Sequence, residues 1–346
     1  MRLLWPIEYH TPLHYWESKD DSFQDALEYL SENHEVHVLA WHQKRRDTMV
    51  LRGIHYRFIE DAAQIVAHAK QINPDLINFW GFGSPVNKKL VAAFPRVPKT
   101  VYFVGGDLGN SVDFPYVCRV FVTTPEQKEA LKRDPRSNSY PHRQIVVCPF
   151  AASASCMPKN YGHPSRYDVI YAADWREKKR QHLLVEALPE LDFNRVLFLG
   201  GRHDLPYYAQ WAEALGQCYD RGYCEVIDRV PGFAVADYYR ESRVAVHLSE
   251  SEGGSRVLTE VLACGLPLIV TADCESNAAR IRHGETGFIV EPKPKAIAQQ
   301  IRELLENPLL CEQIGMAAAA SIPRGKSDGS MTRIFEQEFT KILQGA

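Results

Sequence analysis

Short apolar runs rich in β-formers alternate with longer segments of helical period along the whole chain. Few folds accept that alternation other than parallel sheets covered by helices on both faces. In the first half, strands are expected at Leu3 to Trp5, Val36 to Ala40, Ile54 to Ile59, Leu76 to Phe79, Val101 to Val104, Val120 to Thr123 and Ile145 to Cys148. Between them, residues 61–73 put Ala62, Ile65, Val66 and Ile72 on roughly one helical face, with an acidic start and Pro74 at the exit. Periodicity disappears over 150–167, FAASASCMPKNYGHPSRY, into small residues, Pro and Gly. The alternation then resumes, with strands at 168–172, Arg195 to Leu199, Cys224 to Ile227, Val244 to Leu248 and Pro267 to Val270, and helices at 178–189, 207–217, 234–241 and 254–263.

A length of 346 residues suits two such domains, each able to bury its own core. The expected division is 1–157 for the first and 158–329 for the second, with a helix in 330–346 that carries Ile334, Phe335, Phe339 and Ile342 on one side. A net charge of -3 offers no global attraction to nucleic acid or anionic lipid. The basic clusters QKRRD at 43–47 and REKKRQ at 176–181 read as solvated faces, so a nucleic-acid partner is not expected. The start meets Pro6, Glu8 and His10 before an apolar core of leader length forms, and the apolar run at 261–270 is broken by Gly265 and Pro267. The 8 cysteines are scattered without CxxC pairs and read as reduced thiols. A cytoplasmic chain without a transmembrane segment is expected, with room for peripheral association at the membrane.

Chemistry concentrates in residues 249–292. Gly253 and Gly254 precede a helical run, where backbone N–H groups and the partial positive charge of a helix start can hold a phosphate at close range. Glu252 stands before the helix and Glu260 about one and a half turns in, so both can serve one ligand. A carboxylate suits a ribose diol. Spacing alone does not separate this from a solvated helix face, since two glutamates eight apart occur by chance about once or twice in a chain this acidic.

EGGSRVLTEVLACGLPLIVT at 252–271 resembles the E-x7-E region of glycosyltransferase family 4, the retaining GT-B enzymes, and HGETGFIVEP at 283–292 resembles that family's following turn and strand. The resemblance implies an α/β GT-B fold, two Rossmann-like doubly wound parallel-sheet domains facing a cleft. YDVIYAADWREKKRQHLLVEAL at 167–188 is similar to the opening of the family's C-terminal domain, where a Gly-Arg pair and a following Lys bind donor phosphates. Lys179 falls on the Lys; Ala173 and Asp174 replace the Gly-Arg pair. Arg176 or Arg256 can restore the lost charge through a forked guanidinium, while the alternative for REKKRQH is an exposed basic helix start. VIDRVPGFAVADYYRESRVAVHLSE resembles the strand and loop that carry the base, with Val230 where backbone meets it.

The likeness is looser in the first half. TVYFVGGDLGN ends in Gly105, Gly106 and Asp107, where Asp107 can reach the transferred sugar or the acceptor, or serve as an Asx turn or cap. PIEYHTPLHYWES lacks the Gly-Gly pair usual after the family's first strand; Tyr9, His10, His14, Tyr15 and Trp16 offer either a stacking platform or plain packing. The C-terminal helix crosses back onto the first domain in this family.

The resemblance thus implies a retaining hexosyltransferase using a nucleotide-diphosphate sugar, with Asp107 and Glu252 as catalytic residues. Lys179, Arg176, Val230, Gly253, Gly254, Ser255, Arg256 and Glu260 would bind the donor. The acceptor is a hydroxyl of a glycan, a lipid-linked saccharide or a small-molecule glycoside, held by the first domain. No Asp-x-Asp pair occurs, so no metal and no other cofactor is expected. The alternatives are a non-catalytic nucleotide-sugar-binding subunit and a GT-B sugar-nucleotide epimerase.

Overall fold

The computed structural model describes residues 1–8, 22–41, 48–80, 85–103, 117–134, 144–191, 195–323 and 330–345. Two compact units divide the chain: Met1–Phe150 with Gly325–Ala346, and Ala151–Arg324. Ala152 and Cys156, before the expected division at 157, are buried in the core that holds Tyr167, Tyr239 and Cys264. The backbone N–H of Lys159 donates to Cys264 O at 2.8 Å.

In the first unit, β1 (Arg2–Glu8), β2 (Glu35–Trp41), β3 (Thr48–Leu51), β4 (Ile54–Ile59), β5 (Leu76–Trp80), β6 (Lys99–Phe103), β7 (Val117–Val122) and β8 (Ile145–Val147) form one sheet in the order β3-β4-β2-β1-β5-β6-β7-β8. All pairings are parallel except β3 with β4. The sequence reading passed over β3. It is joined to β4 through Arg52 and Gly53, both at positive φ (53° and 80°), a hairpin turn that lacks the Asn-Gly or Asp-Gly pair by which such turns are usually recognised. Over one sheet face lie helices Ile65–Ile72 and Pro85–Ala93, which bury Ile65, Ala69, Val86 and Leu90. On the other, helix Ser330–Leu343 brings Met331, Phe335 and Phe339, all fully buried, against Trp5, Tyr102 and Phe121. Phe335 meets the Phe121 ring edge-on at 5.0 Å, and Arg119 Nε donates to Glu338 Oε2 at 2.7 Å. Ile334 and Ile342 pack partly buried against the same cluster.

The second unit contains β9 (Tyr167–Ala172), β10 (Val196–Leu199), β11 (Cys224–Ile227), β12 (Ser242–His247), β13 (Leu268–Thr271) and β14 (Phe288–Val290), all parallel, in the order β11-β10-β9-β12-β13-β14. Chain order reverses between β9 and β12, and in open sheets of this kind the crevice at that switch point, beyond the carboxyl ends of the strands, is where ligands bind.

Two helices differ from expectation there. The expected helix 178–189 is a 3-10 turn Glu177–Lys179, then Arg180 at φ 52°, then helix Gln181–Ala187. The left-handed residue breaks helical continuity. The expected helix 254–263 begins only at Arg256, because Gly254 sits at φ 149°, outside the helical region, and Ser255 takes the extended conformation of a cap. Among the described residues no helix is long and apolar enough to cross a membrane, and the cysteines are free thiols.

Candidate functional site

The carboxyl ends of β9 and β12 bring together residues far apart in sequence. Lys179, in the 3-10 turn after β9, forms an ion pair through Nζ with Glu252 Oε1, in the loop after β12; the two side chains are 16% and 11% exposed. His247, the last residue of β12 and fully buried, places Nε2 3.2 Å from the same Oε1. Ser249 Oγ and Ser255 Oγ each lie 3.3 Å from that nitrogen. Ser276 Oγ donates to the Glu252 carbonyl at 2.8 Å, and Arg280 Nη1 to that of Ser255 at 2.9 Å. Both ends of the glycine loop are thereby fixed. Gly253, Gly254 and Ser255 are buried at the start of helix Arg256–Ala263, the arrangement that favours an anion at a helix start.

The backbone beneath is braced as well. The Tyr171 hydroxyl donates to the Lys179 carbonyl and accepts from Leu248 N at 3.1 Å, tying β9 to the end of β12. Arg180 Nε donates to Leu248 O at 2.9 Å, and its Nη1 and Nη2 grip the Asp273 carboxylate at 2.7 and 2.9 Å. That bidentate grip, with Thr271 Oγ1 at 3.1 Å, anchors the side chain whose backbone is left-handed.

Burial by itself would raise the Glu252 pKa. The His247 hydrogen bond and the Lys179 charge outweigh it and hold the carboxyl below its ordinary range. For His247, burial dominates and lowers the pKa, with the Lys179 and Arg280 charges acting in the same direction. His247 is therefore a neutral imidazole at pH 7, and its hold on Glu252 is a hydrogen bond. Its Nε2 carries the proton, because the nearest acceptor is a carboxylate.

The remaining expected residues are distributed around this centre. Glu260 lies half-buried on helix Arg256–Ala263, and its charge, after burial, contributes to raising the pKa of the Tyr239 hydroxyl. Arg256 opens that helix and Arg176 precedes the 3-10 turn, both exposed. Val230, after β11, is partly buried against the core. Asp174, in place of the Gly-Arg pair, turns away from this centre: Oδ1 accepts from Gly201 N at 2.9 Å, and Oδ2 faces His203 Nε2 at 3.2 Å and Arg229 Nη2 at 3.3 Å. Asp107, with Gly105 and Gly106, and the segment Tyr9 to Trp16 lie outside the described residues, as do residues 43–47. Among the described residues, no group of three or more His, Cys, Asp or Glu could hold a metal ion.

Sequence reasoning missed His247, Arg180, Asp273 and Ser276. His247 stood inside an expected apolar strand and Arg180 inside a basic run. A histidine ending such a strand and an acid just past β13 were the available signals.

Residues 157–321 match the family model described as glycosyl transferases group 1. The second unit therefore carries a domain of that superfamily. The chain is 27% identical over 129 residues to the O-antigen biosynthesis protein RfbC of Myxococcus xanthus, covering 37% of this chain and 10% of that protein. It is 36% identical over 87 residues to the D-inositol 3-phosphate glycosyltransferase of Streptomyces griseus, covering 25% of this chain and 18% of that one. It thus aligns with less than a fifth of the length of either curated relative. Sucrose-phosphate synthase from Thermosynechococcus elongatus superposes over 100% of both chains with a TM-score of 0.79 at 15% identity. Anabaena Alr3699/HepE, solved with UDP-glucose, does so over 100% of both chains at 0.72 and 13%. The fold is that of the GT-B glycosyltransferases.

Proposed function

We propose that the chain is a retaining glycosyltransferase of family 4 that moves a hexose-type sugar from a nucleotide-diphosphate sugar to an acceptor hydroxyl. The observation that carries this reading is the Lys179–Glu252 pair, beside the buried Gly253–Gly254–Ser255 loop at the switch point of the second sheet. A cation, a carboxylate and a helix start meet there, which suits a ligand with a diphosphate on one side and a sugar on the other. The superfamily match over 157–321 and the similar fold of a protein solved with UDP-glucose support it.

In this reading Lys179 and the 253–255 amides hold the diphosphate, with Arg176 or Arg256 adding charge. Glu260 takes the ribose, the Val230 backbone the base, and Glu252 the sugar. An entering diphosphate shares the Lys179 ammonium with Glu252. Asp107 is assigned to the sugar or the acceptor. The acceptor attacks from the face the phosphate leaves, and the departing phosphate takes the acceptor proton. The residues act by stabilising charge that develops on the leaving group and by positioning the acceptor. The reaction is metal-independent, in keeping with a sequence that has no Asp-x-Asp pair. The acceptor is a glycan, lipid-linked saccharide or small-molecule glycoside, met in the cytoplasm or at the membrane surface.

A thermal-shift screen of nucleotide sugars tests donor binding, because a ligand of the folded state raises the melting point by mass action. Loss of transfer in both Lys179→Ala and Glu252→Ala is expected; wild-type rates in both variants would end the assignment. One observation favours a second reading, a non-catalytic nucleotide-sugar-binding subunit: Asp174 stands where a phosphate-binding Arg is implied and is engaged by His203 and Arg229. Calorimetry that finds donor binding without turnover on any acceptor would select it.

A further inference from the structure

The fully buried His247 lies at the centre of the candidate site, yet the transfer chemistry assigns it no task. Its ring packs edge-on to Tyr171 at 6.0 Å, so β9 limits its tilt from one side. Three oxygens surround Nε2: Glu252 Oε1 at 3.2 Å, and Ser249 Oγ and Ser255 Oγ at 3.3 Å. A single N–H cannot serve all three, and the charged acceptor takes it. Nδ1 is buried without a hydrogen-bond partner, so no second bond competes for the ring's orientation.

Among the described residues, the Glu252 carboxylate pairs with Lys179 from the turn after β9 and with His247 from β12, and its charge is also felt by the Tyr171 hydroxyl of β9 and the Cys274 thiol just after β13. Lys179 ends in a flexible four-carbon stem, which a phosphate can draw away. His247 cannot follow, because β12 and Tyr171 hold it.

We infer that His247 is a positioning residue for Glu252: its Nε2–H fixes the carboxylate through Oε1 so that the acid keeps one orientation while the Lys179 ammonium moves between Glu252 and a donor phosphate. The predicted rate effect rests on the transferase reading. The hold on the carboxylate does not.

Three variants test it, with UDP-glucose as the probe. His247→Leu removes the donor. His247→Gln sets an amide N–H near the place of Nε2. His247→Asn keeps a polar group too short to reach Glu252 and serves where the Leu variant fails to fold. His247→Leu and His247→Asn should lower kcat by about 10- to 100-fold with little change in KM, as misplacement of a positioned group does. His247→Gln should recover most of the rate. The Glu252 side-chain carbon resonance, assigned against Glu252→Gln, should begin to titrate at a higher pH in the Leu and Asn variants than in wild type and His247→Gln. The acid limb of kcat should move with it. A purely packing role would lower the melting point and move neither the resonance nor the limb. Folded variants with wild-type kcat and an unmoved Glu252 midpoint, or a Gln variant no better than Asn in both, would overturn the inference. If the wild type neither binds nor turns over UDP-glucose, the transferase reading loses its support with that donor, and the Glu252 midpoint alone decides the role of His247.

Discussion

The Lys179 ammonium is paired with a Glu252 carboxylate that lies 73 positions further along the chain, and the two side chains are only 16% and 11% exposed. Each charge therefore depends on the other and on a few hydrogen bonds for its compensation. Removing one partner of a largely buried pair costs more than removing both, because the survivor is left uncompensated. Lys179→Met and Glu252→Gln should each lower stability by about 2 kcal/mol, and the double variant should fall short of their sum. Urea denaturation of the four proteins measures this, and strict additivity would refute the coupling.

Acid should expose the same pair. Glu252 has a folded pKa below that of the unfolded chain, about 4.3. Its contribution to stability is complete above the unfolded value and is lost as pH falls through the window towards the folded one. Below about pH 4.3 the wild type should therefore lose stability more steeply than Glu252→Gln. Parallel stability curves for the two proteins would contradict it.

Lys159 predicts a change at the alkaline end. Its Nζ donates to Ser242 O at 2.5 Å and Ser165 Oγ at 3.0 Å, and burial brings its pKa down to about 8. An unfolded lysine titrates near 10.4, so between about pH 8 and pH 10.4 this group binds more protons in the unfolded chain and its contribution to stability rises with pH. Below that window the cost of the buried charge is felt in full. Lys159→Met should remove this rise, which denaturation midpoints across the window would show.

Arg180 should reverse the usual ranking of alanine and glycine beside a helix. Its φ of 52° costs any residue with a Cβ about 1 kcal/mol, and glycine nothing. Both substitutions lose the Asp273 grip, but Arg180→Gly should be more stable than Arg180→Ala by about that amount. Equal stabilities would mean that the turn has relaxed to negative φ.

How much of this was legible depended on how local each signal was. Strands of the second sheet, such as Val196–Leu199, read clearly from continuous apolar runs bounded by turns. The glycine loop and Glu252 carried their own signature. The Lys179–Glu252 contact did not, because it arises only when β9 and β12 become neighbours and β10 and β11 are laid off to one side. His247 was hidden by the strand it ends: apolar neighbours marked it for burial, and only the fold supplies the oxygens around its ring. β3 was missed for a local reason, a hairpin turn made by Arg52 and Gly53.

The C-terminal helix has a consequence for the order in which the protein is made. Phe335 and Phe339 complete a core otherwise built from the first 150 residues, while the second unit, Ala151–Arg324, is continuous in the chain. During synthesis the second unit can close as soon as it emerges, whereas the first must wait with Trp5, Tyr102 and Phe121 incompletely covered until residues 330–343 arrive. The earlier-made unit is thus the later to finish, because its last aromatic contacts come from the far side of a unit that is already complete.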